Sequence, residues 1–177
     1  MRELTHPARD FVLTDLNRVV ESAVRVAGSE WQGLAEVCTE LDPDLPLVPC
    51  LAGGINQVIV NMLVNAAHAI EARGAGPPGR AVASTRQAGD AAEIRITDNG
   101  TGMAEDVRAR IFDPFFTTKD VGRGTGQGLA IAHGVVKKHS GSIAVDSESG
   151  RGTCFTIRLP LAAPPVRRES APGASGR

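Results

Sequence analysis

The stretch from Ile55 to Ala72 constrains this chain more than any other. Ile55, Val58, Ile59, Met62, Leu63, Ala66, Ala69 and Ile70 recur at helical spacing. One long helix must therefore bury a continuous apolar stripe. The run Gly74–Gly79, G-A-G-P-P-G, stops it. Two alternating segments follow, Arg80–Arg86 and Glu93–Thr97, joined by the turn-forming Gln-Ala-Gly-Asp. A helix that feeds straight into a strand pair is the pattern of a sheet covered by helices.

Other segments extend the pattern. Leu16, Val19, Val20, Ala23, Val24 and Ala27 form one helical face, with Thr14 or Asp15 able to cap its start and Gly28 able to end it. Ala35–Leu41 alternates as a half-exposed strand, and Pro43, Pro46 and Pro49 then predict a loop. Residues 98–125 are irregular, with one helical turn expected near Glu105–Ile111. A helix from about Gly126 to His139 and two strands, Ser142–Ser147 and Thr153–Leu159, complete the order α-β-α-β-β-loop-α-β-β. Strand pairs without crossover helices predict an α+β, two-layer α/β sandwich: a mixed, mostly antiparallel sheet covered by about three helices. Residues 1–12 read as the remnant of a linker or of a dimerisation helix, 13–160 as the domain, and the Pro- and Gly-rich 161–177 as a disordered tail or linker.

Composition narrows the function. The 19 basic and 20 acidic residues leave a net charge of −1, which argues against nucleic-acid binding through a basic face. Hydrophobic residues reach 42% but aromatics only 3%, so the core must be aliphatic. Three cysteines without CxxC spacing predict neither a disulfide framework nor a zinc site. No apolar run approaches a membrane span and no signal peptide is evident. The chain is expected to be cytoplasmic, with no membrane contact of its own.

Three places carry possible chemistry. Asn61 and Asn65 stand one turn apart on the long helix. They form either a solvated face or a pair of amide oxygens suited to a hard cation that keeps phosphate ligands. The strand ending at Thr97 runs into D-N-G-T-G-M, Asp98–Met103. This is either a plain turn, or an acceptor for an exocyclic amine with glycines that let a flat ligand approach. G-R-G-T-G-Q-G-L-A, Gly122–Ala130, abuts a helix start and offers backbone N–H groups to phosphate. The Rossmann spacing occurs only in the Gly74–Gly79 loop, and no Gly-Lys dipeptide exists for a P-loop.

In this order, these segments resemble the catalytic ATP-binding domain of bacterial sensor histidine kinases, a Bergerat-type ATPase fold. I-N-Q-V-I-V-N-M-L-V-N-A-A-H-A-I resembles that family's asparagine box, and D-N-G-T-G-M its first glycine box. I-F-D-P-F-F-T-T-K resembles the phenylalanine box, especially of the nitrogen-regulation type. G-T-G-Q-G-L-A-I-A resembles the second glycine box, and S-G-R-G-T-C-F-T-I-R-L-P the closing strand pair.

The resemblance implies ATP and Mg²⁺ as ligands. It implies that Asn65 binds the metal with Asn61 in support, that Asp98 accepts from the adenine amine, and that Gly100 and Gly102 line the base. Thr153 would join the Asp98 network. Gly124, Thr125, Gly126, Gly128 and Leu129 would meet the phosphates. Lys119 is a further candidate there, and His68 is either a phosphate contact or a surface residue. Phe112, Phe115 and Phe116 would belong to a lid, about Glu105–Thr125, expected to be mobile without nucleotide. The implied reaction transfers the γ-phosphoryl to a histidine on a dimerisation domain, and from there to a response regulator receiver domain. None of His6, His68, His133 and His139 has the acceptor's sequence context, so the chain reads as a catalytic half. Asn61 cannot act as a base, so intrinsic hydrolysis should be slow. A nucleotide-binding sensor without catalysis and an anti-sigma-type serine kinase are the competing readings on the same fold.

Overall fold

The computed structural model describes residues 11–114, 116 and 128–162. The apolar stripe of the long helix α3 (Ala52–Arg73) lies on a five-stranded sheet. Its strands are β2 (Ala35–Glu40), β4 (Gly79–Ala88), β5 (Ala91–Asp98), β6 (Ser142–Glu148) and β7 (Gly152–Pro160), in the spatial order β2-β4-β5-β7-β6. The β2–β4 pair is parallel, because α3 crosses over between the two strands; the other three pairs are antiparallel. Among the described residues the sheet is thus mixed and mostly antiparallel, as the sequence predicts.

Alternation decides which side chains meet the helices. Ala81 and Ala83, Ile94 and Ile96, and Phe155, Ile157 and Leu159 are buried, while Arg86, Arg95, Thr97 and Arg158 point the other way and are exposed. Glu93 belongs to the outward set yet is only 3% exposed. Arg86 and Arg158, its direct partners on β4 and β7, donate to its two carboxylate oxygens at 2.6 and 2.9 Å.

Helix α1 (Leu16–Val26) buries Leu16, Val19, Val20 and Ala23 against α3, and the Asp15 carboxylate caps it by accepting from the Asn17 N–H at 3.0 Å. Helix α5 (Gly128–Lys138) buries Ala132 and Val136. Its carboxy-terminal end is locked by His139, whose Nε2 accepts from the Leu51 N–H at 3.0 Å. Because that partner can only donate, the imidazole proton sits on Nδ1, 2.7 Å from the Val135 carbonyl. Phe11 packs edge-on against the same ring.

Three short elements depart from the expected order. A strand pair, β1 (Val12–Thr14) with β3 (Val48–Cys50), replaces part of the predicted proline loop. Pro49 fits because a two-stranded ribbon has open edges that need no N–H from it. Gly28 ends α1 as predicted but also opens a further turn of helix, α2 (Gly28–Trp31), which buries Trp31. Helix α3 starts three residues earlier than its apolar pattern, at Ala52-Gly53-Gly54. A side chain at Gly54 would stand 3.2 Å from Val135, so the glycine lets α5 approach closely.

Candidate functional site

On β5 the inward positions read Ile94, Ile96, Asp98, so a carboxylate occupies the next place in an apolar row. Asp98 is 6% exposed. Burial pushes its pKa up to about 6, opposed by hydrogen bonds from the backbone N–H groups of Gly100 and Thr153. The Gly100 N–H is 2.8 Å from Oδ1.

The glycines around Asp98 are spatial necessities. A Cβ at Gly100 would lie 2.6 Å from the Ala69 Cβ, and at Gly102 (φ +65°) 2.0 Å from the Glu148 carbonyl oxygen. Gly152, at φ +101°, would place a Cβ 2.0 Å from the Asp98 carbonyl oxygen. The Thr101 N–H donates to Ala69 O at 3.2 Å, and Gly150 N–H to Thr101 O at 2.7 Å. The loop after Asp98 is therefore pinned between α3 and the β6–β7 turn.

Asn99 and Arg73, which the sequence patterns did not single out, complete the pin. The Asn99 amide accepts from the Arg80 N–H at 2.8 Å and donates to Pro78 O at 2.9 Å. The Arg73 guanidinium donates to Asn99 O and Pro77 O. Arg73 stands in the last turn of α3, where a basic side chain also favours the helix dipole.

The other half of the site lies on α3. Gln57, Asn61 and Asn65 follow one another at four-residue steps, an amide stripe beside the buried one. Gln57 Nε2 donates to Asn61 Oδ1 at 2.9 Å, and Asn61 Nδ2 donates to Gly128 O at 3.3 Å. Asn61 therefore ties α3 to the start of α5. Ala69, which meets Gly100 and Thr101, lies two turns beyond Asn61, about 12 Å along the axis. Asn65 sits between them. The helix is a spine that sets the Asp98 loop and the α5 start at fixed spacing on one side. His68 is also on α3; its Nε2 is 3.7 Å from Glu30 Oε2 on α2.

Thr153 is the β7 partner of Asp98. Its hydroxyl lies 2.8 Å from Ser147 Oγ, which also contacts Gly152 O at 3.0 Å and the Met103 N–H at 2.9 Å. In the sequence Ser147 carries only a strand-end signal.

The expected lid divides. Helix α4 (Glu105–Arg108) is the predicted helical turn. Ile111 is buried, Val107, Phe112 and Phe116 pack against the core, and the Phe112 ring stands 5.2 Å from that of His133. These side chains are the apolar anchors of the described part of the segment. Phe115, Lys119, Gly124, Thr125 and Gly126 lie outside the described residues. Gly128 and Leu129 form the first turn of α5, with Leu129 against the core.

These groups suit a purine nucleotide. A buried acceptor-only carboxylate is fenced by glycines, with amide side chains and a helix start two turns away. Among the described residues no group of three or more His, Cys, Asp or Glu side chains could hold a metal ion. The amide oxygen of an asparagine is of the hard-oxygen kind that a magnesium ion takes alongside water and phosphate.

Comparison with known proteins gives the family and the fold. Residues 51–163 match the family described as histidine kinase-, DNA gyrase B-, and HSP90-like ATPase. The sensor kinase CckA of Brucella abortus (strain 2308) is 37% identical over 93% of this chain and 18% of its own length. The signal transduction histidine-protein kinase AtoS of Escherichia coli (strain K12) is 38% identical over 82% of this chain and 23% of its own. This chain thus spans less than a quarter of either relative. Among solved structures, the nucleotide-free catalytic domain of histidine kinase ThkA superposes with a TM-score of 0.72 at 25% identity, covering 85% of this chain and 97% of that one.

Proposed function

Because the chain belongs to the histidine kinase-, DNA gyrase B- and HSP90-like ATPases, we propose that residues 13–160 are the catalytic domain of a sensor histidine kinase. The observation that carries this reading is the buried Asp98 carboxylate. It is fenced by Gly100, Gly102 and Gly152, and its loop meets the same helix, α3, that carries Asn61 and Asn65 and contacts Gly128.

Asp98 accepts from the adenine amine, and Gly100 and Gly102 let the backbone lie close to the base. Asn65 offers its amide oxygen to Mg²⁺, and Asn61 holds the start of α5 in place. Gly124, Thr125, Gly126, Gly128 and Leu129, with Lys119, supply N–H groups and charge to the phosphates. Bound Mg²⁺ neutralises charge that develops on the transferred phosphoryl. The acceptor is a histidine nitrogen on a separate dimerisation domain. His139 uses both ring nitrogens inside the core and His133 stacks on Phe112, which supports an acceptor supplied in trans. A response regulator receiver domain takes the phosphoryl next. Among the described residues no helix is long and apolar enough to cross a membrane.

The test pairs binding with transfer. The chain should bind a non-hydrolysable ATP analogue more tightly with Mg²⁺, and Asp98→Asn should weaken binding at least tenfold. With ATP and a dimerisation domain it should label histidine, seen as acid-labile phosphate. Acid-stable phosphoserine, or fast hydrolysis abolished by Asn61→Ala, overturns the reading.

A further inference from the structure

Ser147 ends β6 with its side chain turned inward, 9% exposed. Its oxygen has three neighbours: Gly152 O at 3.0 Å, the Met103 N–H at 2.9 Å and Thr153 Oγ1 at 2.8 Å. A hydroxyl has one proton and two lone pairs. The Gly152 carbonyl can only accept, so the Ser147 proton points at it. The Met103 N–H can only donate, so it takes one lone pair. The remaining lone pair faces Thr153, whose hydroxyl must therefore be the donor. Gly152 pairs with Glu148 across the β6–β7 ladder, which holds its carbonyl in place.

The Thr153 proton is thus committed away from Asp98, its partner across β5 and β7. What Thr153 retains toward that side is lone pairs. The ionised Asp98 carboxylate also has only lone pairs. Asp98 and Thr153 thus bring two acceptors, and no side-chain donor, to this end of the sheet. The exocyclic amine of adenine donates, whereas the O6 of guanine accepts. An acceptor-only wall welcomes the first, and it leaves the second facing unpaired lone pairs in a dry site.

We propose that Ser147 is a positioning residue for purine selectivity: by taking the Thr153 proton it keeps the Asp98–Thr153 edge acceptor-only, favouring adenine over guanine. The inference rests on the reading of the Asp98 pocket as a nucleotide site. In Ser147→Ala the Thr153 hydroxyl is free to rotate and donate.

The test measures dissociation constants of the whole chain for non-hydrolysable ATP and GTP analogues with Mg²⁺. Wild type should prefer the ATP analogue. Ser147→Ala should lower that preference roughly tenfold, a change expected from re-aiming one buried hydrogen bond. In a Thr153→Val background, Ser147→Ala should leave the preference unchanged, because its effect passes through the lost hydroxyl. Ser147→Cys, nearly isosteric with a weak donor, should shift the preference the same way and serves if the alanine variant does not fold. Equal weakening of both analogues, an unchanged preference in both single variants, or a shift that persists beside Thr153→Val overturns the role of Ser147 alone. Wild type that binds neither analogue overturns the nucleotide site itself, and this inference with it.

Discussion

Asp98 carries a charge that its surroundings resist. Its pKa in the fold, about 6, lies above the ordinary 3.8, so the folded chain holds this proton more tightly than the unfolded one. The sign follows: its contribution favours the fold fully below about 3.8 and is lost as pH rises through about 6. The span corresponds to about 3 kcal/mol. Urea unfolding from pH 4 to 7 should therefore show wild type losing stability relative to Asp98→Asn, with no further divergence above about pH 6.5. Nucleotide affinity relative to the same variant should run the other way, rising with pH to about 6 as the carboxylate acceptor forms. A difference in stability that is flat across this range would contradict the buried site. Gly152 gives a second test at this scale. Gly152→Ala adds a Cβ 2.0 Å from the Asp98 carbonyl oxygen at φ +101° and should cost about 3 kcal/mol together with nucleotide binding. Gly89→Ala, at φ +60° in an open hairpin turn, should cost only about 1 kcal/mol and leave binding intact. Denaturant midpoints and analogue titrations on both variants check the contrast.

Among the elements, α3 links packing to chemistry. Its buried stripe fixes its orientation on the sheet, and that orientation points Asn61 at Gly128 and Ala69 at Gly100. In its first turn Gly54 faces Val135 of α5 and leaves room for little more than a methyl group. Gly54→Ala should be nearly neutral, since better helix propensity offsets a contact of 3.2 Å with Val135. Gly54→Val should destabilise by about 1–3 kcal/mol through overpacking and weaken nucleotide binding by shifting the start of α5. Thermal melts and analogue binding separate the two effects. This helix was legible because its period is long and strong. The β1–β3 ribbon was not, because three residues carry no period and Pro49 reads as a loop until its partner Leu13 is known. Ser147 and Asn99 escaped for a related reason. Both have turn or strand-end composition, and their roles consist of hydrogen bonds to residues outside their own segments.

For the whole molecule, one continuous core runs from Leu16 on α1 to Leu159 on β7, and the site is walled by elements from both ends of it. Unfolding should accordingly be a single transition. An ATP analogue at 100 times its dissociation constant should add about 2.7 kcal/mol to stability. A calorimetric scan with two separable transitions, or no shift with nucleotide, would count against one core that carries one site. The sequence by itself determined the elements with strong periods, the mixed sheet covered by helices, and the order of the boxes that resemble a kinase catalytic domain. Those are local properties: spacing, breakers and residue chemistry. Only the tertiary structure decided that Asp98 is buried, that Gly152 and Ser147 shape its surroundings, and that Arg73 and Asn99 clamp its loop. Burial, a steric limit of 2.0 Å and the direction of a shared proton arise between residues that the fold alone brings together.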